Sequence, residues 1–383
     1  MQSPSPSTVS TGEPAGTVPR EAYLEVKNLI KWFGKDRAVD NVSFSIPKGH
    51  FLTLLGPSGC GKITTLMSIA GLHSIRAGSI RVGGMVYTDP AKHLFLAPEQ
   101  RDIGMVFQSY AIWPHMTVAQ NVAYPLDIRK IDRPEIEARV ADTLKLVGLA
   151  DFADKLATQL SGGQQQRASL ARAIVAKPRL LLFDEPLSNL DLKLREKMRV
   201  ELKRIQKEVG ITSIYVTHDQ SEALVMSDDI IVMSKGRIEQ KGGPVDIYMR
   251  PVNSYVSNFI GVANLLKGRV VSRLEHGFGE VEVQATDNTK ALLAAKLHED
   301  MKPGSETMLS IRPENVRISR TYDGPVSLVG RVEQAIFLGN CIDARVSWGG
   351  FEWKVLAHPR SQLVAGETVF LKPDPNHTLA MRP

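Results

Sequence analysis

One glycine-rich run that ends in lysine has the composition of a site for phosphate groups. It follows the apolar segment Phe51–Leu55 and precedes residues 64–70, a segment of helical spacing that Gly71 closes. Glycines let backbone N–H groups surround an anion, the helix start adds a positive dipole end, and the lysine reaches the β- and γ-phosphates of a nucleotide. We call this run the phosphate loop; it comprises Gly56, Pro57, Ser58, Gly59, Cys60, Gly61 and Lys62.

The position after the phosphate loop departs from the pattern that such loops require. A serine or threonine there would place its hydroxyl on Mg²⁺, whereas this sequence has Ile63, whose hydrocarbon side chain cannot coordinate a hard cation. Thr64 is no direct substitute, because one step along a helix turns the side chain by about 100°. The sequence predicts a nucleotide site that includes Ile63 and Thr64 and lacks one metal ligand. If water occupies the vacant coordination position, ATP hydrolysis would only be slower. The alternative is that hydrolysis is almost completely lost.

Two adjacent carboxylates, Asp184 and Glu185, follow the apolar residues 180–183. A strand that ends in this way places them at the carboxyl edge of the sheet, beside the phosphate loop. Asp184 is the expected metal partner, directly or through water. Glu185 is the candidate general base that orients the attacking water.

A second glycine turn precedes a helical segment that contains Leu170 and Ile174. Its serine stands where a helix N-cap would, and a plain capping turn is one interpretation. Two glycines after a serine at a helix start can also present N–H groups and a hydroxyl to a phosphate. The other interpretation is therefore a second anion site. We call it the serine–glycine turn; it comprises Leu160, Ser161, Gly162, Gly163 and Gln164.

Two further polar residues follow apolar runs in the same manner. Gln108 follows residues 105–107, and its neutral amide could reach a metal or a water molecule; His218 follows residues 214–217 and could donate to a γ-phosphate. Each residue alone would be ordinary. Their order along the chain, together with the two glycine turns, indicates one catalytic site.

The elements that must position these groups are typical of an α/β protein. Four short apolar runs alternate with helical patterns, as in a mostly parallel sheet that is buried on both faces; they are Phe51–Leu55 and residues 180–183, 213–216 and 230–233. Between residues 117 and 163, Pro134, Gly148 and the four-residue spacing of Ile136, Val140 and Leu144 predict a helical insertion. After residue 261, alternation at Val281 and Val283 and turns at residues 302–304 and 349–350 predict a second, β-rich domain.

Composition excludes several classes of protein. The 383 residues, 43% hydrophobic and 23% charged, are typical of a folded globular protein, and the net charge of +6 suits a nucleotide, an anionic membrane or a nucleic acid without deciding among them. Cys60 and Cys341 have no metal or disulfide spacing, which favours a reducing compartment. Residues 1–20 have the composition of a disordered tail and not of a signal peptide. The sequence has no apolar run long enough for a spanning helix, so any membrane role is expected to be peripheral.

Taken together, these motifs resemble the ATP-binding subunit of an ATP-binding cassette (ABC) importer, over about residues 23–381. By position, the resemblance implies that Phe33, or alternatively Trp32, stacks on adenine, that Gln108 is the Q-loop glutamine and also a metal ligand, and that His218 is the switch histidine. The serine–glycine turn corresponds to the family's signature motif. The family's D-loop corresponds to Ser188, Asn189, Leu190 and Asp191.

The resemblance also implies cofactors, partners and location. ATP and Mg²⁺ are expected, with two cassettes packed head to tail as a homodimer, so that ATP on one phosphate loop meets the serine–glycine turn of the other subunit. Two transmembrane permease subunits would contact residues 109–118, and a periplasmic or extracellular solute-binding protein would act indirectly. The protein would lie at the cytoplasmic face of the membrane, and no nucleic acid partner is expected.

A regulatory domain and a solute class follow from the same resemblance. Residues 264–266 and 311–314 resemble the TOBE domain, an OB-like β module. The expected organisation is a tail (1–20), an ABC ATPase domain (21–260) with a helical subdomain at about 109–175, and a TOBE-like domain (261–383). Residues 110–118 favour ferric iron or a polyamine-like solute. The alternatives are a catalytically impaired regulatory subunit, because of Ile63, and a soluble ABC ATPase of DNA repair or translation.

Overall fold

A computed structural model describes residues 22–322, 324 and 327–382. The predicted tail, residues 1–20, lies outside the described residues. The strands of the amino-terminal part are β1 (Ala22–Phe33), β2 (Asp36–Pro47), β3 (Phe51–Leu55), β4 (Ala77–Val82), β5 (Met85–Asp89), β6 (Leu94–Phe95), β7 (Ile103–Val106), β8 (Leu180–Asp184), β9 (Thr212–Thr217), β10 (Asp229–Ser234) and β11 (Arg237–Gly242). Its helices are α1 (Lys62–Ala70), α2 (Val118–Ile128), α3 (Arg133–Leu146), α4 (Gly162–Ile174), α5 (Leu192–Val209), α6 (Gln220–Met226), α7 (Pro244–Met249) and α8 (Ser254–Phe259).

The central sheet has the order β11-β10-β3-β9-β8-β7, and every neighbouring pair except β10 and β11 is parallel. The four apolar runs form β3, β8, β9 and β10, which confirms the predicted mostly parallel sheet. All five residues of β3 and the first four of β8 are buried, because helices cover both faces of the sheet. The carboxyl ends of β3, β7, β8 and β9 therefore meet at one edge.

A second sheet, of order β2-β1-β4-β5-β6, was not predicted from the sequence. Its pairs are antiparallel, and the pairing of β1 with β2 shifts register at several points. Leu24, Val26 and Leu29 of β1 are buried and share a core cluster with Leu66 and Ile69 of α1. This sheet therefore supports the helix that follows the phosphate loop.

The helical insertion forms α2, α3 and α4, as the spacing predicts. Ile136, Val140 and Leu144 are the buried residues of α3. Gly148 has a φ of 64°, and its N–H donates to the carbonyl oxygen of Lys145, so it closes the helix. Helices α2 and α3 pack on α4, which leads back into the parallel sheet at β8.

The carboxy-terminal part contains two five-stranded units where the sequence suggested one small β module. Its strands are β12 (Asn264–Arg273), β13 (Phe278–Gln284), β14 (Lys290–Leu297), β15 (Glu306–Ile311), β16 (Val316–Ser319), β17 (Leu328–Phe337), β18 (Ile342–Trp348), β19 (Phe351–Ala357), β20 (Thr368–Pro373) and β21 (Thr378–Met381). β12-β13-β14-β21-β15 form a closed barrel, and β16-β20-β17-β18-β19 form an open sheet. Apolar residues of both units share one core cluster. None of the described helices has both the length and the apolar character that a membrane span requires.

Candidate active site

The phosphate loop joins β3 to α1, as predicted. Gly61 has a φ of 101°, and a Cβ at this position would lie 2.6 Å from the carbonyl oxygen of Ala38, so no other residue fits without a shift of the backbone. Lys62 is buried, and its Nζ donates to the carbonyl oxygens of Gly56 and Pro57 at 2.6 and 2.9 Å. Its ammonium group therefore lies inside the turn that the glycines form.

Ile63 lies at the surface, with 43% of its area exposed. The Thr65 hydroxyl does not replace the missing ligand, because Thr65 is buried and its Oγ1 donates to the carbonyl oxygen of Gly61 at 2.9 Å. Thr64 is partly buried, and its carbonyl oxygen accepts from the hydroxyl of Ser68. The hydroxyl of Thr65 is thus used within the helix itself.

Asp184 and Glu185 lie at the carboxyl end of β8, with β9 between β8 and β3. Within the described residues, the Oδ1 atom of Asp184 is buried and has no hydrogen-bond partner. Burial raises the pKa of the Asp184 carboxyl above its usual range, and the neighbouring Glu185 raises it further. A buried carboxylate oxygen without a donor is an unfavourable arrangement that a bound cation would relieve, so this residue fits a metal site.

Glu185 and His218 come together across the ends of β8 and β9. His218 Nδ1 lies 3.1 Å from Glu185 Oε2, and the N–H of Glu185 donates to the carbonyl oxygen of Val216 at 3.2 Å. Glu185 also has a φ of 42°, a conformation that residues with a Cβ rarely adopt. The turn after β8 thus directs this carboxylate towards the end of β9, where a base and a hydrogen-bond donor can act on the same water.

Gln108 follows β7 at the same edge and is exposed. Asn189 holds this segment, because its Nδ2 donates to the carbonyl oxygen of Gln108 at 3.0 Å. Ser188 Oγ donates to the carbonyl oxygen of Glu185, Leu190 is buried, and Asp191 caps α5 by accepting from the N–H of Leu194. The segment 188–191 therefore connects the residues that follow β7 and β8.

The serine–glycine turn begins α4, with Ser161 at the N-cap. Gln164 Oε1 accepts from the backbone N–H of Ser161 at 2.8 Å, and Leu160 is buried beneath the turn. Gly162 and Gly163 follow; a Cβ on Gly163 would lie 3.1 Å from Leu194. None of the hydrogen bonds between described residues joins this turn to the phosphate loop of the same chain.

The two aromatic candidates for adenine stacking have different surroundings. Phe33 is 47% exposed and contacts the ring of His73 edge-on, at 5.3 Å between ring centroids. Trp32 is partly buried and is covered by the guanidinium of Arg37 at 4.8 Å from its ring. Phe33 therefore offers the more accessible ring.

Sequence reasoning missed Arg101, which is fully buried at the carboxyl end of α1. Its Nη1 donates to the carbonyl oxygens of Ser68 and Ile69 at the end of α1, at 3.1 and 2.9 Å. Its remaining nitrogens donate to the carbonyl oxygen of Leu96 and to Thr88 Oγ1, and burial lowers its pKa to about 10. No periodic pattern marks a buried arginine between polar neighbours, so Arg101 could not be identified before its tertiary contacts were known.

Comparisons with known proteins agree with this geometry. Residues 39–188 match the ABC transporter family, and residues 309–381 match the TOBE domain. The chain is 45% identical over 320 residues to the spermidine/putrescine import ATP-binding protein PotA of Pseudomonas aeruginosa, covering 83% of this chain and 85% of the relative. It is 46% identical over 297 residues to the trehalose/maltose import ATP-binding protein MalK of Thermococcus litoralis, covering 77% and 79%.

A solved structure supports the fold of the amino-terminal part. The cbiO1 protein of Clostridium perfringens, part of the ABC transporter complex cbiONQ, is 29% identical, with a TM-score of 0.54 over 59% of this chain and 90% of that chain. The relatives, the two matched domains and the shared fold confirm the resemblance that the motifs indicated. The chain belongs to the ABC transporter family and is an importer-type ATPase subunit with a C-terminal TOBE domain.

Proposed function

We propose that this chain is the ATP-binding subunit of an importer that works as a head-to-tail homodimer beneath two transmembrane permease subunits. The observation that carries the proposal is the separation of two anion sites within one chain. The phosphate loop lies beside Glu185 and His218, whereas no hydrogen bond between described residues joins it to the serine–glycine turn. A second copy, turned head to tail, would place that turn on the ATP of the first.

The residues at the sheet edge suit the hydrolysis step. Lys62 and the N–H groups of the phosphate loop would hold the β- and γ-phosphates, and Phe33 would stack on the adenine ring. Glu185 would orient the attacking water and accept its proton, with its carboxylate held near His218. The phosphoryl group would then leave ADP by in-line attack, with the serine–glycine turn of the partner stabilising its charge.

Mg²⁺ fits this site with fewer protein ligands than usual. Asp184, whose buried oxygen has no partner, and Gln108 would hold it, with water in place of the hydroxyl that Ile63 lacks. When bound, the ion would neutralise charge that develops on the phosphate oxygens. Because Ile63 removes one ligand, a catalytically slowed regulatory subunit is the second candidate.

The names of the relatives support a polyamine as the solute, since PotA proteins of several bacteria are named for spermidine and putrescine import. We propose that residues 261–383 form a regulatory domain on an ATPase domain of residues 21–260. A periplasmic or extracellular solute-binding protein would deliver the solute. The chain would sit at the cytoplasmic face of the membrane.

Reconstitution tests the proposal. The chain is purified with the membrane subunits that accompany it from its source cells, placed in proteoliposomes with ATP, and assayed for uptake of spermidine, maltose and ferric iron. We expect spermidine uptake in the wild type and none in Glu185→Gln, which should also accumulate as an ATP-bound dimer by sedimentation. If no membrane subunit accompanies the chain from its source cells, the soluble ATPase would be favoured, and uptake of maltose alone would contradict the polyamine assignment.

A further inference from the structure

Two consecutive residues after Gln108 adopt a backbone conformation that normally suits glycine. Tyr110 has a φ of 60° and Ala111 a φ of 48°. Side chains with a Cβ occupy this region at a cost in free energy, so the surrounding structure must hold them there. Both lie in the segment 109–118, for which the family resemblance implies contact with membrane subunits.

One buried arginine on α4 holds both residues. Arg172 Nη2 donates to the carbonyl oxygen of Tyr110 at 3.0 Å, and Nη1 donates to that of Ala111 at 2.6 Å. Ser169, one turn earlier on α4, donates its hydroxyl to the same oxygen of Tyr110 at 2.8 Å. In the part of the chain that the structure describes, no carboxylate is ion-paired with Arg172. Its guanidinium therefore donates to the loop carbonyl oxygens instead.

The same guanidinium covers the ring of Trp113 at 4.6 Å. Asn121 of α2 accepts from the N–H of Trp113 at 2.9 Å and donates to its carbonyl oxygen at 3.1 Å. The ring centroids of Tyr124 and Trp113 lie 4.2 Å apart. The loop is therefore fastened to α4 on one side and to α2 on the other.

The fastened loop also reaches the start of α4. The hydroxyl oxygen of Tyr110 lies 3.9 Å from the position that a Cβ would take on Gly162. Arg172 bonds to the loop near the carboxyl end of α4, and the Tyr110 side chain contacts the amino-terminal end of the same helix. We propose that Arg172 is a positioning residue for this loop. It makes residues 109–116 and the serine–glycine turn move as one body, so that displacement of the loop by a membrane subunit displaces the turn that meets ATP. This inference rests on the proposed function.

A comparison of Arg172→Lys with Arg167→Lys tests the inference on the full chain. Lysine keeps the charge but cannot bridge both loop carbonyls. Arg167 is the matched control because it lies on the same helix and its Nη1 donates to the carbonyl oxygen of Val147 at 3.2 Å, away from the loop. Both variants are also made with Ile63→Thr, so that slow hydrolysis does not hide an effect.

The first measurement uses the chain without membrane subunits. We expect Arg172→Lys to lower kcat by roughly 3- to 30-fold with KM for ATP unchanged within about twofold, and Arg167→Lys to change neither. Amide hydrogen exchange should rise at residues 109–116 and 160–165 in Arg172→Lys only. Equal kcat in Arg172→Lys and the parent, or parallel losses in both variants, would overturn the inference.

The second measurement uses the complex with its membrane subunits. Their stimulation of hydrolysis should fall in Arg172→Lys and persist in Arg167→Lys. Unchanged stimulation in Arg172→Lys would overturn the coupling of loop and turn. A wild-type chain that no membrane subunit stimulates would instead contradict the proposed function, and the kcat and hydrogen-exchange results would then decide alone whether Arg172 positions the turn.

Discussion

At the scale of single residues, Ile63 combines a catalytic position with an unsuitable side chain. In the proposed function, the phosphate loop binds nucleotide through backbone N–H groups and Lys62, whereas a hydroxyl at position 63 would act only through the metal. We expect Ile63→Thr and Ile63→Ser to raise Mg²⁺-dependent ATP turnover by at least roughly tenfold, or about 1.4 kcal/mol in the barrier. Binding of ATP without Mg²⁺, measured by calorimetry, should change far less.

Ile128→Thr is the control for this effect, because Ile128 is an exposed isoleucine at the end of α2. It should leave turnover unchanged. Equal turnover in the parent and both hydroxyl variants at position 63, with partner subunits present, would mean that another group supplies the missing ligand.

Asp184 illustrates a conflict between function and stability at the same scale. Because burial and Glu185 raise its folded-state pKa, the fold favours the protonated carboxyl, and stability falls as pH rises through that pKa. We expect Asp184→Asn to increase the free energy of unfolding without Mg²⁺ by roughly 0.5–2 kcal/mol at neutral pH. The gain should vanish in acid, where the wild-type carboxyl is protonated.

Urea unfolding in EDTA across a pH series measures this difference. Asp142→Asn, at an exposed aspartate of α3, is the control and should change the free energy of unfolding little. A gain that stayed constant into acid would show that the carboxylate charge is not its cause.

At the scale of elements, the end of α1 depends on a residue that is distant in sequence. A Cβ at Gly71, which has a φ of 85°, would lie 2.4 Å from Arg101 Nε, so the helix ends directly against this guanidinium. Arg101→Met should leave several buried acceptors without donors and cost about 3 kcal/mol of stability. Thermal unfolding measures the loss, and Arg133→Met, at an exposed arginine, should cost little.

The spacing of apolar residues predicted the strands and helices that have a regular pattern of burial. It did not predict the elements whose burial is irregular. The runs at β3 and β8 are buried throughout, and the spacing of Ile136, Val140 and Leu144 fits one helix face. β1 was missed because its register shifts break the alternation that marks a strand.

The candidate site follows the same rule. Its motif residues Glu185 and His218 were found because each directly follows a strand, and Lys62 was found because it ends a glycine-rich run. Arg101 and Arg172 were missed, because an arginine in a polar stretch is indistinguishable from a surface residue until tertiary contacts bury it or bring it to a carbonyl oxygen.

At the scale of the whole molecule, the two parts of the chain share polar contacts. Arg312 donates to the carbonyl oxygens of Tyr248, Ser257 and Val262, and the hydroxyls of Ser257 and Ser310 lie 2.5 Å apart. The carboxy-terminal part therefore buries the backbone of α7 and α8, which follow the last strand of the central sheet.

A chain that ends at residue 261 tests how far this dependence extends. We expect it to bind ATP with an affinity within a few-fold of the full chain, because the phosphate loop lies on β3 and α1. Its thermal unfolding temperature should fall, since α7 and α8 lose their cover. A folded 261-residue chain that cannot bind ATP would contradict the proposed domain independence.

The position of the Lys62 ammonium has a consequence for the kinetics of nucleotide exchange. Its bonds to the carbonyl oxygens of Gly56 and Pro57 hold it inside the turn. An arriving nucleotide would therefore have to break the bonds of the Lys62 ammonium to these carbonyl oxygens before it could bind that ammonium. Association should be slower than diffusion and almost independent of the base, whereas release is assisted by the lysine returning to its own carbonyls.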